Sequence, residues 1–452
     1  MATIPKGVRK TLIPVWIEKG RSMKKVIILS NMFPDANFVR AEVSYLDHRN
    51  EVFYFPKALG IYDKIPDLDF PSKVKVFPIK DYWPTFKSKA KVEKVIRLLP
   101  LFLSCFFWRG VVDVLLHKNN SGDRIIPAKY EMFKQMLSFL LQADEYVKDI
   151  RCAINAEHQV GGSFIQSEDE LVIYAYRFHY HSLAAVFLKK RFPGARIIVR
   201  AHGYDLYEER HSSGYLPFRK FLLSSVDYVG VISKDGYNYL NSHYSCSNKI
   251  ELDYLGVEDH GVEEWRESNV LRIVSCSRIA REKRIEKMFD IFAAYPGNLE
   301  WIHIGPGDKI EEFRAKADAL STENKKFEFI GFLTQTEIVE FYREHPFDLF
   351  VNTSKFEGIP VTMMEAISFG IPLLAFDVGG ISEMITDQKA TQKSGFLFAE
   401  GTKTDQIVEV MLRFHNLSEE EKIAFRREAR ERYEKLFSAK RNFIKFFERN
   451  GI

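Results

Sequence analysis

A stretch in the last quarter of the chain, residues 348–384, is the segment that most constrains the fold. It begins with an apolar run at 349–351, which is typical of a buried strand. Pro360 then stands where a helix begins, apolar residues follow at helical spacing, and Gly370 ends the pattern. A second apolar run at 371–376 predicts another strand. This order of elements predicts a βαβ unit, whose helix N-terminus is suited to bind a phosphate.

Two carboxylates, Glu357 and Glu365, flank this predicted phosphate site. Carboxylates do not bind phosphate, but they accept hydrogen bonds from sugar hydroxyls. The full frame, EGIPVTMMEA followed by GIPLLAFDVGGISE, resembles glycosyltransferase family 4, whose members are retaining, nucleotide-sugar-dependent enzymes of the GT-B fold. The alternative is an ordinary βαβ unit with two surface acids, but the whole frame is more specific than two glutamates alone.

The length of the chain, 452 residues with 46% apolar content, is enough to bury two cores. The resemblance implies an α/β protein with the GT-B fold, in which two Rossmann-like domains face each other across a cleft. We predict an N-terminal acceptor-binding domain over 23–257, a nucleotide-sugar-binding domain over 258–435, and a C-terminal helix over 436–452 that crosses back to the N-terminal domain. Residues 1–22 form a leader without a clean signal-peptide core, and their origin stays open.

The second domain opens with a predicted strand at 271–277, which leads to Arg278 and Lys283. The resemblance implies that these two cations clamp the donor diphosphate, and fixed cations suit the negative charge that builds on a leaving phosphate. Family members usually have glycine after this lysine, where this chain has Arg284, so the local backbone geometry is in question. The full set of predicted donor-binding residues is Arg278, Lys283, Gly305, Gly307, Phe332, Leu333, Glu357, Gly358, Ile359, Pro360, Val361 and Glu365.

His202 follows the predicted strand at 196–200, and ligand-contacting residues of α/β sheets gather at the carboxyl ends of strands. Family members have a histidine here that faces the donor sugar from the N-terminal domain. The predicted catalytic residues are therefore His202, Arg278, Lys283 and Glu357. Three residues are predicted to contact the acceptor, namely Asn31, Glu42 and Asp205, and for Glu42 a solvated helix acid is the alternative.

The resemblance implies that no metal and no cofactor is required, and that the substrate is a nucleotide diphosphate sugar of the UDP or GDP type. A DxD sequence at 67–69 lies between two prolines without a strong strand before it, so we interpret it as a coincidence. The four cysteines are scattered without metal-ligand spacing, which suits a reducing compartment. A net charge of +4 is too small to indicate nucleic acid as a partner.

In residues 86–118, five basic residues precede an apolar, aromatic run. A membrane span is not expected, because a proline, an arginine and an aspartate interrupt a run of marginal length. Two interpretations stay open: helices packed in the N-terminal core, or a patch that docks on an anionic membrane surface. The second would place the protein at the inner face of the plasma membrane, and the first simply in the cytoplasm.

These features predict a retaining glycosyltransferase that moves a hexose-type sugar from a nucleotide sugar to an acceptor hydroxyl. The resemblance implies that Glu365 accepts from the ribose, that Glu357 holds the sugar, and that the leaving phosphate oxygen takes the acceptor proton. A lipid-linked saccharide in polysaccharide biosynthesis is the predicted acceptor. The alternatives are a GT-B-fold nucleotide-sugar epimerase and a catalytically silent, membrane-associated scaffold of a polysaccharide-assembly complex.

Overall fold

The computed structural model describes most of the chain. The described residues are 24–33, 36–58, 74–80, 99–117, 126–159, 165, 170–244, 248–262, 264–385 and 394–452. The leader, the DxD sequence and the basic part of the 86–118 segment, residues 86–98, lie outside them.

The N-terminal part is built on one parallel sheet, to which the described residues contribute eight strands in the order β3-β2-β1-β5-β6-β7-β8, with β4 beside β2. The strands are β1 (Lys25–Phe33), β2 (Glu51–Ala58), β3 (Val74–Val76), β4 (Ile79–Lys80), β5 (Leu171–Ala175), β6 (Arg196–Ala201), β7 (Tyr228–Val231) and β8 (Ile250–Leu252). The helices are α1 (Ala36–Val43), α2 (Cys105–Leu116), α3 (Ile126–Gln159), α4 (Tyr180–Lys189), α5 (Arg219–Ser225) and α6 (Lys234–Tyr244). Apolar side chains fill both faces of this sheet, as parallel strands require.

The C-terminal part is built on a second parallel sheet, in which the described residues form six strands in the order β11-β10-β9-β12-β13-β14. The strands are β9 (Leu271–Cys276), β10 (Leu299–Ile304), β11 (Lys325–Gly331), β12 (Leu349–Asn352), β13 (Leu373–Phe376) and β14 (Gly395–Phe398). The helices are α7 (Ile285–Ala294), α8 (Ile310–Leu320), α9 (Gln335–Glu344), α10 (Val361–Ser368), α11 (Thr404–His415), α12 (Glu419–Leu436) and α13 (Ala439–Asn450). The predicted βαβ unit is therefore β12-α10-β13, and Gly370 follows α10 with a left-handed φ of +74°.

The last helix, α13, returns to the N-terminal sheet. Phe446 is fully buried, its ring lies 5.5 Å from that of Tyr174 on β5, and the Arg200 guanidinium on β6 lies over it at 4.1 Å. Arg196 Nη1 donates to the Asn450 carbonyl oxygen at 2.8 Å. Two facing Rossmann-like domains with a returning helix confirm the predicted GT-B fold.

Candidate active site

The order of strands in the C-terminal sheet reverses between the neighbours β9 and β12. β9 ends at Cys276 and β12 at Asn352, so the segments that follow them leave the same edge of the sheet. Ligands of open α/β sheets bind outside the carboxyl ends of the strands at such a switch point. Lys283 and Glu357 lie on these two segments, and the fold brings them together.

Lys283 and Glu357 form an ion pair at the switch point, with Nζ 2.5 Å from Oε1. Glu357 is only 9% exposed, and Asn352 Nδ2 lies 3.5 Å from the same carboxylate oxygen. A carboxylate taken out of water needs such a partner, because an isolated buried charge is very costly. The Lys283 ammonium, which suits a phosphate, and the Glu357 carboxylate, which suits a hydroxyl, are therefore in direct contact.

Arg284 stands where the resembled family usually has glycine, and it keeps a left-handed backbone with φ of +51°. Its Nε donates to the Thr353 carbonyl oxygen at 2.6 Å, and Nη2 donates to that of Ser354 at 3.0 Å. Nη1 pairs with Glu400 at 3.0 Å. The backbone geometry that was in question is therefore the one glycine would allow, and the added side chain ties the Lys283 turn to the segment before Glu357.

Gly305 and Gly307 lie in the turn after β10, packed against the segment that carries Arg278. A Cβ on Gly305 would lie 1.9 Å from the Ser277 carbonyl oxygen, and its φ is +143°. A Cβ on Gly307 would lie 2.5 Å from Cβ of Ile279. Only glycine fits these two positions. The Arg278 side chain is 74% exposed, with a long ion pair to Glu282 at 3.7 Å.

Glu365 lies on α10 and is 6% exposed. Gln335 Nε2 donates to Oε1 at 2.9 Å, while the buried Oε2 has no hydrogen-bond partner among the described residues. Burial raises the pKa of this carboxyl to about 7, and the Gln335 hydrogen bond opposes that shift. Glu365 lines a cavity of about 130 Å³, together with Tyr176 from the N-terminal domain and Val257 from the segment between the sheets. Its unpartnered oxygen is an acceptor available to a ligand hydroxyl.

His202 follows β6 and is 8% exposed. Its ring lies 4.9 Å from that of Tyr176, and neither ring nitrogen has a hydrogen-bond partner in the described part of the chain. Burial lowers its pKa, although the nearby Asp205 carboxylate acts in the opposite direction. The neutral imidazole is therefore the favoured form, and it has both a donor and an acceptor to offer.

Asp205, predicted to contact the acceptor, is 1% exposed and turned into its own domain. Its carboxylate accepts from the backbone N–H of His202 at 2.9 Å and from that of Phe178 at 2.7 Å. Its Oδ2 also lies 3.6 Å from Nδ1 of His202. These contacts show a residue that shapes the His202 loop, and acceptor contact by Asp205 stays a prediction without structural support.

Glu42 is neither a solvated acid nor exposed to a ligand, so the interpretation of a solvated helix acid is wrong. It is 1% exposed, and its Oε1 lies 2.8 Å from Nη2 of Arg200 and accepts from the Tyr174 hydroxyl at 2.8 Å. Burial raises its pKa, and the Arg200 charge opposes the rise. The error arose because Arg200 is distant in sequence. Asn31 lies in β1, where the structure describes the backbone alone, so its predicted contact with the acceptor stays a prediction.

The other predicted donor residues differ in exposure, and of these Val361 lines the same cavity as Glu365. Phe332 follows β11 and is 68% exposed, whereas Leu333 is half-buried. Ile359 is 5% exposed, and Pro360 is the residue before the first turn of α10, which begins at Val361.

The two domains meet where the His202 loop faces the Glu357 loop. A Cβ on Gly358 would lie 3.2 Å from the backbone nitrogen of Gly203, and Arg210 Nη2 donates to the Glu357 carbonyl oxygen at 2.5 Å. The structure therefore packs the loop that follows His202 against the loop that carries Glu357.

Three residues of this region were not predicted as site residues: Arg210, Gln335 and Glu383. The Glu383 carboxylate accepts from the first backbone N–H groups of α6, at 2.8 Å from Lys234, and from the Tyr254 hydroxyl at 2.6 Å. Arg210 and Gln335 lie in segments that had been left without a role, and Glu383 ends the quoted frame, but no spacing indicated a contact for any of the three. Only the folded arrangement shows their contacts.

The crevice lies in a region that matches the model of a known protein family. Residues 262–432 match the family model "Glycosyl transferases group 1". The matched region carries Arg278, Lys283, Glu357 and Glu365, and it contains the whole C-terminal sheet.

Similar curated proteins include bacterial glycosyltransferases. The amylovoran biosynthesis glycosyltransferase AmsD of Erwinia amylovora is 24% identical over 61% of this chain and 75% of its own length. The O-antigen chain mannosyltransferase C of Escherichia coli is 25% identical over 61% of this chain and 74% of its own length. Among solved structures, Anabaena HepE in complex with UDP is similar with a TM-score of 0.60 at 14% identity, over 95% of this chain and 99% of that one. This last likeness shows the fold.

Proposed function

We propose that the protein is a retaining glycosyltransferase that moves a hexose-type sugar from a UDP or GDP sugar to an acceptor hydroxyl. The observation that carries this proposal is the ion pair between Lys283 and the buried Glu357, at the switch point of a region that matches the group 1 glycosyl transferase model. Glu365 lies on the helix that follows Glu357. The names of the relatives, which refer to amylovoran and O-antigen chains, support polysaccharide biosynthesis as the context.

Each residue of the crevice has one task in this reaction. Glu365 accepts hydrogen bonds from the ribose hydroxyls through its free oxygen. The donor diphosphate attracts Lys283 and Arg278, and Glu357 then turns its carboxylate to the hydroxyls of the sugar. The two cations stabilise the charge that grows on the leaving phosphate, and such fixed charges are effective because they need no reorganisation.

The acceptor side of the reaction lies with the N-terminal domain. Neutral His202 holds the sugar from across the cleft, and the leaving phosphate oxygen takes the proton of the attacking hydroxyl, so the reaction proceeds without a metal or a protein nucleophile. Contact between the two domains excludes water that would otherwise hydrolyse the donor. We propose a lipid-linked saccharide as acceptor, used at the cytoplasmic face of a membrane.

Release of nucleoside diphosphate from a panel of UDP and GDP sugars, in the presence of a bacterial lipid extract and EDTA, tests this function. The anomeric configuration of the product is read by NMR, and retention is expected. Lys283→Met should lower the rate at least about a hundredfold, because a cation on the leaving phosphate is lost. Lys309→Met is the matched control, since that lysine is 68% exposed and paired with Glu312.

Other outcomes of this assay would contradict the proposal. Inversion at the anomeric carbon would contradict a retaining reaction. Loss of activity in EDTA would contradict a metal-independent one. Free epimerised nucleotide sugar would favour the epimerase. A folded protein that binds no nucleotide sugar and releases no product would favour the scaffold.

A further inference from the structure

Helix α2 shows a large apolar surface to solvent. Trp108 is 61% exposed, Val112 52%, Leu115 63% and Leu116 73%. Their spacing is helical, so they form one face, while Phe106 and Phe107 on the opposite side are buried. Exposed apolar side chains that form one contiguous surface are typical of an interaction site. No helix among the described residues is long and apolar enough to cross a bilayer.

A cavity of about 620 Å³ opens beside this face. It lies between α2, the start of α5 and the end of α6, and none of the residues lining the cleft around Glu365 lines it. Val112 and Leu116 belong to both the cavity wall and the exposed face. An apolar surface therefore continues directly into the cavity mouth.

The cavity wall also carries three cations, Arg109, Arg219 and Lys220. Arg219 is 3% exposed, and its Nε–H has no hydrogen-bond partner within the described ranges. Arg109 lies over the Phe221 ring at 4.5 Å and, like exposed Lys220, forms no ion pair with a carboxylate of the described residues. A buried guanidinium N–H without a partner beside two free cations is suited to an anion.

The two acids of the wall are already engaged by the protein. Asp113 Oδ2 accepts from the Tyr215 hydroxyl at 2.5 Å and from the Phe218 backbone N–H at 2.9 Å. Glu208 Oε1 accepts from the Tyr244 hydroxyl at 2.5 Å, and its other oxygen lies 3.7 Å from His117. Hydrogen bonds within the protein therefore hold both carboxylates, whereas Arg109 and Lys220 have no carboxylate partner among the described residues.

We propose that this cavity binds the phosphate headgroup of an anionic membrane phospholipid, whose acyl chains lie along the apolar face of α2. The anionic headgroup of such a lipid matches the cationic cavity, and its apolar chains match the adjoining face of α2. The proposal rests on the proposed function, since it explains how an enzyme that uses a lipid-linked acceptor is held at the bilayer.

The cavity is connected to the cleft by the short 3₁₀ helix Glu208–Arg210. Glu208 lines the cavity, and Arg210 donates to the Glu357 carbonyl oxygen. A headgroup in the cavity therefore contacts the same segment that holds the loop of the donor site.

Flotation of the full-length protein with vesicles tests the proposal. The protein should float with phosphatidylcholine vesicles that contain phosphatidylglycerol, and only weakly with phosphatidylcholine alone. Arg109→Gln/Lys220→Gln should bind the anionic vesicles about tenfold more weakly or worse, as expected from the loss of two cations near an anionic surface. The matched control is Lys309→Gln/Arg413→Gln, which removes two exposed cations from the C-terminal domain and should bind like the wild type. Buried Arg219 is left unchanged, because it also donates to the Asp205 carbonyl oxygen.

A competition arm separates a headgroup site from diffuse attraction. Glycerol 3-phosphate should release the protein from anionic vesicles at concentrations where sodium chloride of equal ionic strength does not. Equal release by salt, equal flotation with both kinds of vesicle, or unchanged binding of the double variant would overturn the proposal. Tight binding of inorganic phosphate by a protein that does not float with vesicles would also overturn it, because the ligand of the cavity would then be free phosphate.

The same variants distinguish this proposal from the proposed function. Nucleotide-sugar binding by Arg109→Gln/Lys220→Gln should equal that of the wild type, because both residues lie outside the cleft. Lipid-dependent flotation by a protein without transferase activity would leave the headgroup site standing and contradict the function alone. Transferase activity, together with flotation of the double variant like that of the wild type, would support the function and contradict the headgroup site alone.

Discussion

Glu365 is the residue whose environment most clearly favours ligand binding over stability. An acid that is 6% exposed with one unpartnered oxygen destabilises the protein when it ionises, and burial raises its pKa from 4.5 to about 7. Perturbed carboxyls of this kind cluster at functional sites. A sugar hydroxyl that donates to the free oxygen would satisfy the carboxylate.

Glu365→Gln should change how stability depends on pH. Because the folded-state pKa is raised, the contribution of the neutral acid to stability is fully present below pH 4.5 and is lost as the pH rises through about 7. The stability of wild type relative to the variant should fall by up to about 3 kcal/mol over that range. Denaturant unfolding at several pH values measures this difference, with exposed Glu340→Gln as control. A constant difference between wild type and variant would show that Glu365 titrates normally.

Arg284 should act as a positioning residue for the donor loop. Arg284→Gly keeps the left-handed backbone but loses the hydrogen bonds to the Thr353 and Ser354 carbonyl oxygens. We expect nucleotide-sugar binding about tenfold weaker, from charge-assisted hydrogen bonds worth roughly 1.5–3 kcal/mol. Arg284→Asn, which also tolerates this backbone, should behave like the glycine variant. Calorimetry measures both, and wild-type affinity in either variant would rule out the positioning role.

Half of the predicted donor residues, Glu357 to Val361 and Glu365, lie in one local frame, where sequence spacing implies proximity. Arg210 and Gln335 could not be located from the sequence, since each reaches Glu357 or Glu365 from a distant segment. Glu42 was misinterpreted for the same reason, because its partner Arg200 is on another strand.

At the scale of elements, the strand ends determine where the chemistry can occur. The turn after β10 lies against the segment after β9, and the segment after β12 lies against the turn that carries Lys283. The alternation of strands and helices was readable because apolar periodicity is local. The order of strands, and hence the switch point, depends on pairing between distant segments, which local patterns do not indicate.

Gly305→Ala should be strongly destabilising. The new Cβ would lie 1.9 Å from the Ser277 carbonyl oxygen, in a backbone conformation with φ of +143°. We expect a loss of more than about 3 kcal/mol in the free energy of unfolding. Gly194→Ala is the matched control, since nothing lies within 4 Å of its Cβ, and it should change stability by less than about 0.5 kcal/mol. Similar effects of the two substitutions would mean that the turn moves aside freely.

At the scale of the whole molecule, α13 links the end of the chain to the first domain. Arg449 Nη1 lies 3.0 Å from Oδ1 of Asp253, and the Phe446 ring packs against Tyr174 and Tyr228. The helix thus completes the N-terminal core with residues from the far end of the sequence. Its amphipathic pattern could be read locally, but its docking place was implied by the resemblance.

Phe446→Ala should therefore destabilise the N-terminal domain by about 3–5 kcal/mol, as expected for a deleted buried aromatic ring. Hydrogen exchange should accelerate in β6 and β7, which α13 covers, more than in β9 and β10. Phe332→Ala, at a ring that is 68% exposed, is the control and should leave exchange unchanged. Uniform acceleration over both sheets would show that the two domains unfold as one unit.

The central claim is that the crevice between β9 and β12 binds a nucleotide sugar. Calorimetry with UDP, GDP, ADP and their common sugars on the wild type, Glu365→Ala and the control Glu340→Ala tests it most directly. We predict one preferred nucleotide, whose affinity falls at least about tenfold in Glu365→Ala and is unchanged in the control. Well-folded wild type that binds none of the panel, or equal binding by Glu365→Ala, would contradict the assignment of this crevice as the donor site.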